Sequence, residues 1–119
     1  MPIRSLLFVA LAVAAPHVQA ASLYAGASMT SITPDRPVAL DGQLSTRISQ
    51  GVESELTASA LALESRDGET VAGQALLVAC DLVAIREGVL EEVRAALAPR
   101  LPGFDVQKLI LSATHTHTG

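Results

Sequence analysis

The fold is decided by residues 71–113, which read VAGQALLVACDLVAIREGVLEEVRAALAPRLPGFDVQKLILSA. Residues 71–82 have a continuous apolar centre, which is typical of a strand buried on both faces. Apolar side chains in residues 86–97 recur with the period of a helix, which Pro99 helps to end. Residues 106–113 have the pattern of another buried strand. The order strand, helix, strand predicts a βαβ unit with parallel strands and a right-handed crossover.

A β-hairpin is predicted immediately before this unit. Residues 55–64 alternate as a strand does, and Asp67-Gly68 separates them from the apolar run that begins at Val71. An Asp-Gly pair between two such runs is a strong hairpin signal. The predicted fold class is therefore α/β, with a β-hairpin followed by a βαβ unit as part of a larger mixed sheet with helices.

The segment before the hairpin has a less regular pattern. Residues 23–32 are rich in small side chains and predict a strand, which Pro34 ends. Residues 35–52 show neither the helical nor the strand period, so we interpret them as a long ordered loop with a turn at Asp41-Gly42. Loops of this length in compact domains are usually functional or disordered.

Length and composition limit the classes of protein to consider. The chain has 119 residues, of which 50% are hydrophobic, and a formal net charge of −4. This length allows one domain, and the apolar fraction is too high for a disordered chain. The acidic balance argues against a nucleic-acid partner. The single cysteine, Cys80, excludes an internal disulfide, and its apolar neighbours indicate an inert buried thiol.

The first twenty residues have the pattern of a secretory signal peptide. Arg4 precedes an apolar run at residues 5–15, and small side chains follow at Val18 and Ala20. The run has about half of the ~20 residues that a transmembrane helix needs, and the order of the segments disfavours a buried core helix. We therefore predict a signal peptide at residues 1–20, cleaved after Ala20, no transmembrane span in the mature chain, and a secreted or periplasmic location.

The chemistry of the chain is concentrated in the pair His115 and His117. Alternate residues of an extended chain point to the same side, so the two imidazoles can converge on one site. The pair follows a parallel strand, and ligands bind at the carboxyl ends of such strands. Neutral imidazole is a common metal ligand, but a catalytic zinc ion needs about three protein ligands. Asp81 is a candidate for a further ligand by its position only. The alternative is that both histidines are polar loop residues that bind no metal.

The hydroxyl side chains around the pair have two readings. They could accept or donate hydrogen bonds around metal-bound histidines, which makes Thr114 and Thr116 candidates for supporting the site together with Asp81. They could equally satisfy local backbone groups at the end of a strand. Asp81 itself could be a turn or helix-capping residue, because it stands shortly before the predicted helix.

Three stretches resemble the neutral/alkaline, non-lysosomal ceramidase family. Residues 109–119 (LILSATHTHTG) are similar to its zinc-site signature, except that Thr118 stands where the family usually has serine. Residues 25–34 resemble the opening strand, which commonly ends in Ile-Thr-Pro. Residues 78–82 resemble a strand–Asp–helix step of the family. The resemblance covers most of residues 24–119, which correspond to the beginning of the family's catalytic domain.

The resemblance implies a zinc-dependent amidase. Members of the family are secreted or membrane-associated, and they hydrolyse the N-acyl bond of ceramide to sphingosine and a fatty acid. His115 would be a zinc ligand, and His117 would be the catalytic and substrate-binding group that hydrogen-bonds the substrate or the oxyanion. The family's later ligands are a His, a Glu and a Tyr. With one of four expected ligands, residues 21–119 would be an N-terminal fragment of the catalytic domain and inactive alone, with association at a membrane surface as a further expectation.

Two alternatives from other classes stay open. One is another secreted metallohydrolase with a His-x-His site, such as an amidohydrolase, in which the motif ends the first barrel strand. A hairpin and a βαβ unit precede the motif here, which argues against a first strand. The other is a non-catalytic secreted module that binds a metal or another ligand.

Overall fold

The structure, a computed structural model, describes residues 21–119, which form a mixed α/β unit. The predicted signal peptide at residues 1–20 lies outside the described residues. The elements in chain order are β1 (Ser22–Ser31), β2 (Ala39–Leu40), β3 (Arg47–Ile48), β4 (Thr57–Asp67), β5 (Thr70–Cys80), α1 (Val89–Leu97) and β6 (Leu109–Ala113).

Four strands form the main sheet in the order β1-β4-β5-β6. β4 is antiparallel to both β1 and β5, whereas β5 and β6 are parallel. The predicted hairpin is therefore confirmed, and its turn places Gly68 at φ 58°, a left-handed conformation that favours glycine. The predicted βαβ unit is confirmed as well, because α1 connects the two parallel strands.

The two faces of the sheet are covered unequally. Leu109 is 2% exposed and Cys80 is 9% exposed on the face that carries the crossover with α1. Ile110 points to the opposite face and is 56% exposed. The expectation that the strand of residues 71–82 is buried on both faces is thus wrong for residues 21–119, because no element of this part of the chain covers the second face.

Helix α1 begins later than its apolar period suggests. The pattern predicted a helix from Arg86, but Gly88 has φ 85°, and a left-handed residue cannot continue a right-handed helix. Its apolar residues Leu90, Val93 and Leu97 are half-buried. No helix within residues 21–119 is long and apolar enough to cross a membrane.

The segment before β6 is also different from the prediction. Residues Val106–Lys108 form a 3₁₀ turn rather than the start of a strand. The side chain of Asp105 accepts a hydrogen bond from the Gln107 backbone N–H at 3.0 Å, which stabilises the start of this turn. Arg94 of α1 donates from Nε to the Val106 carbonyl at 3.2 Å and so joins the helix to the turn.

The long loop of residues 35–52 is partly ordered by its own short ribbon. β2 and β3 pair antiparallel through Ala39 with Ile48 and Leu40 with Arg47. The predicted turn at Asp41-Gly42 is confirmed and directly follows β2. This turn lies near the carboxyl ends of β5 and β6, where the Gly42 carbonyl oxygen contacts the ring of His117.

Candidate metal centre

The parallel pairing of β5 and β6 places the two sequence-predicted site segments side by side. Cys80 and Ala113, the last residues of the two strands, are direct partners in the ladder. The backbone pairing continues beyond them, with the Thr114 N–H donating to the Cys80 carbonyl at 2.9 Å and the His115 N–H donating to the Leu82 carbonyl at 3.0 Å. The His-x-His segment is therefore anchored to the chain that follows β5.

His115 is oriented by the backbone of that same segment. Its Nδ1 lies 2.7 Å from the carbonyl oxygen of Val83. A carbonyl can only accept, so Nδ1 carries the proton of the neutral ring and Nε2 keeps its lone pair. His115 also has φ 62°, a conformation that is uncommon for residues other than glycine, and it turns the chain sharply between β6 and His117.

His117 is oriented in the same way by a different part of the chain. Its Nδ1 lies 2.8 Å from the carbonyl oxygen of Gly42, in the turn after β2. The proton is again on Nδ1, and Nε2 is again free to accept or to ligate. The backbone carbonyl of His117 accepts a hydrogen bond from Gln43 Nε2, so the loop holds both the ring and the main chain of this residue.

The two free imidazole nitrogens converge. Nε2 of His115 and Nε2 of His117 are 3.4 Å apart, and the rings meet edge to face at an interplanar angle of 85°. Two nitrogen ligands of one tetrahedral zinc ion, each at ~2.0–2.1 Å, are separated by about 3.4 Å. The donor chemistry, the tautomers and the separation all fit a zinc ion. Both side chains are exposed, so the pair is open to solvent and to a ligand.

The remaining ligands of such an ion are not found beside the pair. Within residues 21–119, no group of three His, Cys, Asp or Glu side chains could hold a metal ion. Because a catalytic zinc ion needs about three protein ligands, the pair alone could supply only part of a site.

Asp81 is placed close to the pair in the fold but bonds elsewhere. Its Oδ2 accepts from the backbone N–H and the hydroxyl of Thr57, both at 2.8 Å, and its Oδ1 accepts from the Thr114 hydroxyl at 3.2 Å. These hydrogen bonds, with the Thr57 backbone bond first, hold the pKa of Asp81 below its ordinary value. The carboxylate thus ties β4 to the segment after β6.

The threonines of the motif also bond away from the imidazoles. Thr114 donates to Asp81, and the hydroxyls of Thr116 and Thr118 lie 3.2 Å apart. The groups that orient the rings are the carbonyls of Val83 and Gly42, which residue types alone could not indicate, because every residue has a carbonyl. The one available signal was the Asp41-Gly42 turn inside a long loop.

A cleft of about 860 Å³ lies beside the motif. Asp81, Thr116 and Thr118 line it on the side of the sheet, and residues 47–56 line much of the rest. The histidine rings are not among its lining groups. The cleft therefore contacts the histidine segment at Thr116 and Thr118.

The fold is similar to that of solved ceramidases. The crystal structure of neutral ceramidase from Pseudomonas aeruginosa matches 85% of this chain with a TM-score of 0.74 and 26% identity. A second structure, ceramidase complexed with C2, matches 82% of this chain with a TM-score of 0.63 and 23% identity, and at that identity it supports the fold alone. No protein-family model and no curated protein matches the sequence.

The matched part is a small portion of those proteins. This chain spans 16% of the Pseudomonas aeruginosa ceramidase and 15% of the second structure. The resemblance to the neutral ceramidases that the sequence indicated is confirmed, and residues 21–119 have the fold of part of a ceramidase.

Proposed function

We propose that this chain is part of a secreted or periplasmic zinc-dependent amidase of the neutral ceramidase type, which hydrolyses the N-acyl bond of ceramide or a similar lipid amide. The observation that carries the proposal is the convergence of the His115 and His117 Nε2 atoms at 3.4 Å, each with its Nδ1 bonded to a backbone carbonyl. The similarity to the Pseudomonas aeruginosa ceramidase supports the class of substrate.

His115 is proposed to hold the metal ion. Its Nδ1–H bond to Val83 fixes the ring so that Nε2 presents a lone pair, and such a partner raises the basicity of a ligating histidine. A zinc ion bound there would polarise the amide carbonyl and lower the pKa of a bound water towards ~7. The further ligands of the ion would come from outside the pair.

His117 is proposed to face the substrate. With Nδ1 bonded to Gly42, a neutral ring accepts a hydrogen bond at Nε2 from a substrate hydroxyl or amide N–H. Once protonated, Nε2 of His117 would donate to a developing oxyanion. Because Nε2 lies next to His115, the oxyanion it reaches would be that of a substrate held at His115. The ceramidase resemblance supports this division of roles between the two histidines.

The test is hydrolysis of a fluorescent N-acyl sphingosine by the product of the complete reading frame, with its metal content measured in the same sample. We expect bound zinc, release of the labelled fatty acid, loss of activity with a chelator and recovery on adding zinc. A protein that binds zinc but hydrolyses no lipid amide would favour another metallohydrolase or a binding module. A protein that binds no zinc would end the proposal.

A further inference from the structure

The turn Asp41–Gly42–Gln43 makes a close approach to His117 that only glycine permits. Gly42 has φ 73°, and a Cβ atom added to it would lie 2.4 Å from His117 Nδ1 and 2.8 Å from Cε1. The same Cβ would lie 2.9 Å from Cγ2 of Val83, the residue whose carbonyl orients His115. Real Cβ contacts are not this short, so a side chain at this position would displace the ring.

The turn is itself held in place from both sides. Oδ1 of Asp41 accepts from the Gly42 backbone N–H at 2.8 Å, and its Oδ2 forms an ion pair with Arg86, which precedes α1. The Arg86 hydrogen bond is the main reason that the pKa of Asp41 lies below its ordinary value. Gln43 donates from Nε2 to the His117 carbonyl and accepts from Arg47 Nη1 at 3.3 Å.

We propose that the turn Asp41–Gly42–Gln43 is a positioning element for His117, in which the Gly42 carbonyl selects the Nδ1–H tautomer and thereby leaves Nε2 as the reactive nitrogen. The role rests on the proposed function, because a freed Nε2 matters only if it meets a substrate or a metal ion. The turn itself makes no contact with substrate and acts through the imidazole.

The physical basis is that a neutral imidazole has one N–H and two nitrogens that can carry it. A carbonyl on Nδ1 takes that proton as its partner, so Nε2 can only accept. Without the carbonyl, the proton can move to Nε2, and the nitrogen that faces His115 would then be a donor. Loss of the contact should therefore change both the tautomer and the position of the ring.

The experiment compares Gly42→Ala with Gly68→Ala. Gly68 also has a positive φ, 58°, but a Cβ there would meet nothing within 4 Å, so it reproduces the backbone strain without touching His117. Nitrogen NMR of ¹⁵N-histidine-labelled, metal-free protein reports which ring nitrogen of His117 carries the proton. We expect Nδ1–H in the wild type and in Gly68→Ala, and a changed or mixed tautomer in Gly42→Ala.

Kinetics supply the second measurement. We expect Gly42→Ala to lower kcat by about 10²-fold, a typical cost of a small misplacement of a reacting group, whereas Gly68→Ala keeps the wild-type kcat. Should Gly42→Ala fail to fold, Gln43→Ala is the substitute, because it removes the hydrogen bonds with the His117 carbonyl and with Arg47 that hold the turn against His117. An unchanged tautomer in every folded variant, or the same change in Gly68→Ala, would overturn the proposal.

The two proposals fail separately. A wild-type protein with the Nδ1–H tautomer at His117, altered in Gly42→Ala, keeps the positioning role even if the protein hydrolyses no lipid amide. An active zinc amidase whose His117 carries its proton on Nε2 keeps the function and ends the positioning role.

Discussion

Asp81 and Thr57 are joined by two hydrogen bonds of 2.8 Å that converge on a single carboxylate oxygen. One donor is the backbone N–H at the first residue of β4, and the other is the hydroxyl of the same residue. Because the second carboxylate oxygen accepts from Thr114, Asp81 connects the start of β4 to the histidine segment. The aspartate that the sequence offered as a candidate beside the histidine pair thus has a clear role in holding the surrounding segments together.

Removing this carboxylate should lower the stability of the fold, because its hydrogen bonds join β4 to the histidine segment. Asp81→Ala loses all three hydrogen bonds, whereas Asp81→Asn can keep the Thr57 pair through its carbonyl oxygen and donate to Thr114. We expect the melting temperature to fall in both variants, with the larger fall in Asp81→Ala, as measured by circular dichroism. Equal melting temperatures for both variants and the wild type would contradict this role.

The same carboxylate should make stability depend on acid pH. The pKa of Asp81 is lower in the folded chain than in the unfolded chain, mainly because of the Thr57 backbone bond. The unfolded state therefore binds the proton more readily, so this contribution is complete above the unfolded pKa of about 4 and is lost as pH falls below it. Unfolding measured from pH 6 to pH 2 should show a smaller loss in Asp81→Asn than in the wild type. An identical pH dependence in the two proteins would refute the assignment.

The two histidines should respond differently to alanine. His115→Ala is expected to lose bound zinc and amide hydrolysis together. His117→Ala should keep zinc and lose about 10²–10³ in kcat, the usual cost of one hydrogen bond made in the transition state. Metal analysis and kinetics on the same samples separate the two roles. Equal zinc loss in both variants would make both residues ligands, which their 3.4 Å separation would accommodate.

Export should remove the first twenty residues. The order of Arg4, an apolar core and the small residues Val18 and Ala20 predicts cleavage before Ala21. N-terminal sequencing of the secreted or periplasmic product should therefore begin at Ala21. A soluble cytoplasmic product that retains Met1 would show that the segment is not a signal peptide.

The open face of the sheet should make residues 21–119 prone to association when they are expressed alone. β6 is an edge strand of the described sheet, and Ile110 is exposed on its uncovered face. Ile110→Lys should reduce aggregation in light scattering. Its neighbour Leu109 provides the matched control, because Leu109→Lys buries a charge and should cost at least about 2 kcal/mol of unfolding free energy. A monomeric wild-type fragment with a sharp cooperative transition would contradict the prediction.

Periodicity and turn chemistry predicted the hairpin and the βαβ unit because these depend on local patterns. The apolar stripe of α1, the Asp67-Gly68 turn and the apolar centre of β5 each have a short-range signal. The later start of α1 depended on the left-handed Gly88, and the 3₁₀ turn depended on a cap from Asp105. Neither feature alters the hydrophobic period, so the predicted helix and the predicted last strand both began too early in the sequence.

The sequence predicted that the two imidazoles would lie together, but it did not predict the groups that hold the rings. The approach of His115 to His117 was predicted from an extended chain, and that premise is wrong, because β6 ends at Ala113 and His115 has φ 62°. The ring partners are carbonyls from distant positions in the sequence, and Gly42 came to the site only through the packing of a loop with no sustained period. A residue-type pattern contains no record of such a contact.

The bond between Gly42 and His117 spans 75 positions of the chain. A ribosome makes the carbonyl partner first and the imidazole about 75 residues later, with β4, β5 and the crossover helix synthesised between them. The two Nε2 atoms therefore cannot be held side by side in a nascent chain whose sheet has not yet formed. The approach of the two imidazoles is therefore a late event of folding, and it reports that the whole unit has reached its native topology.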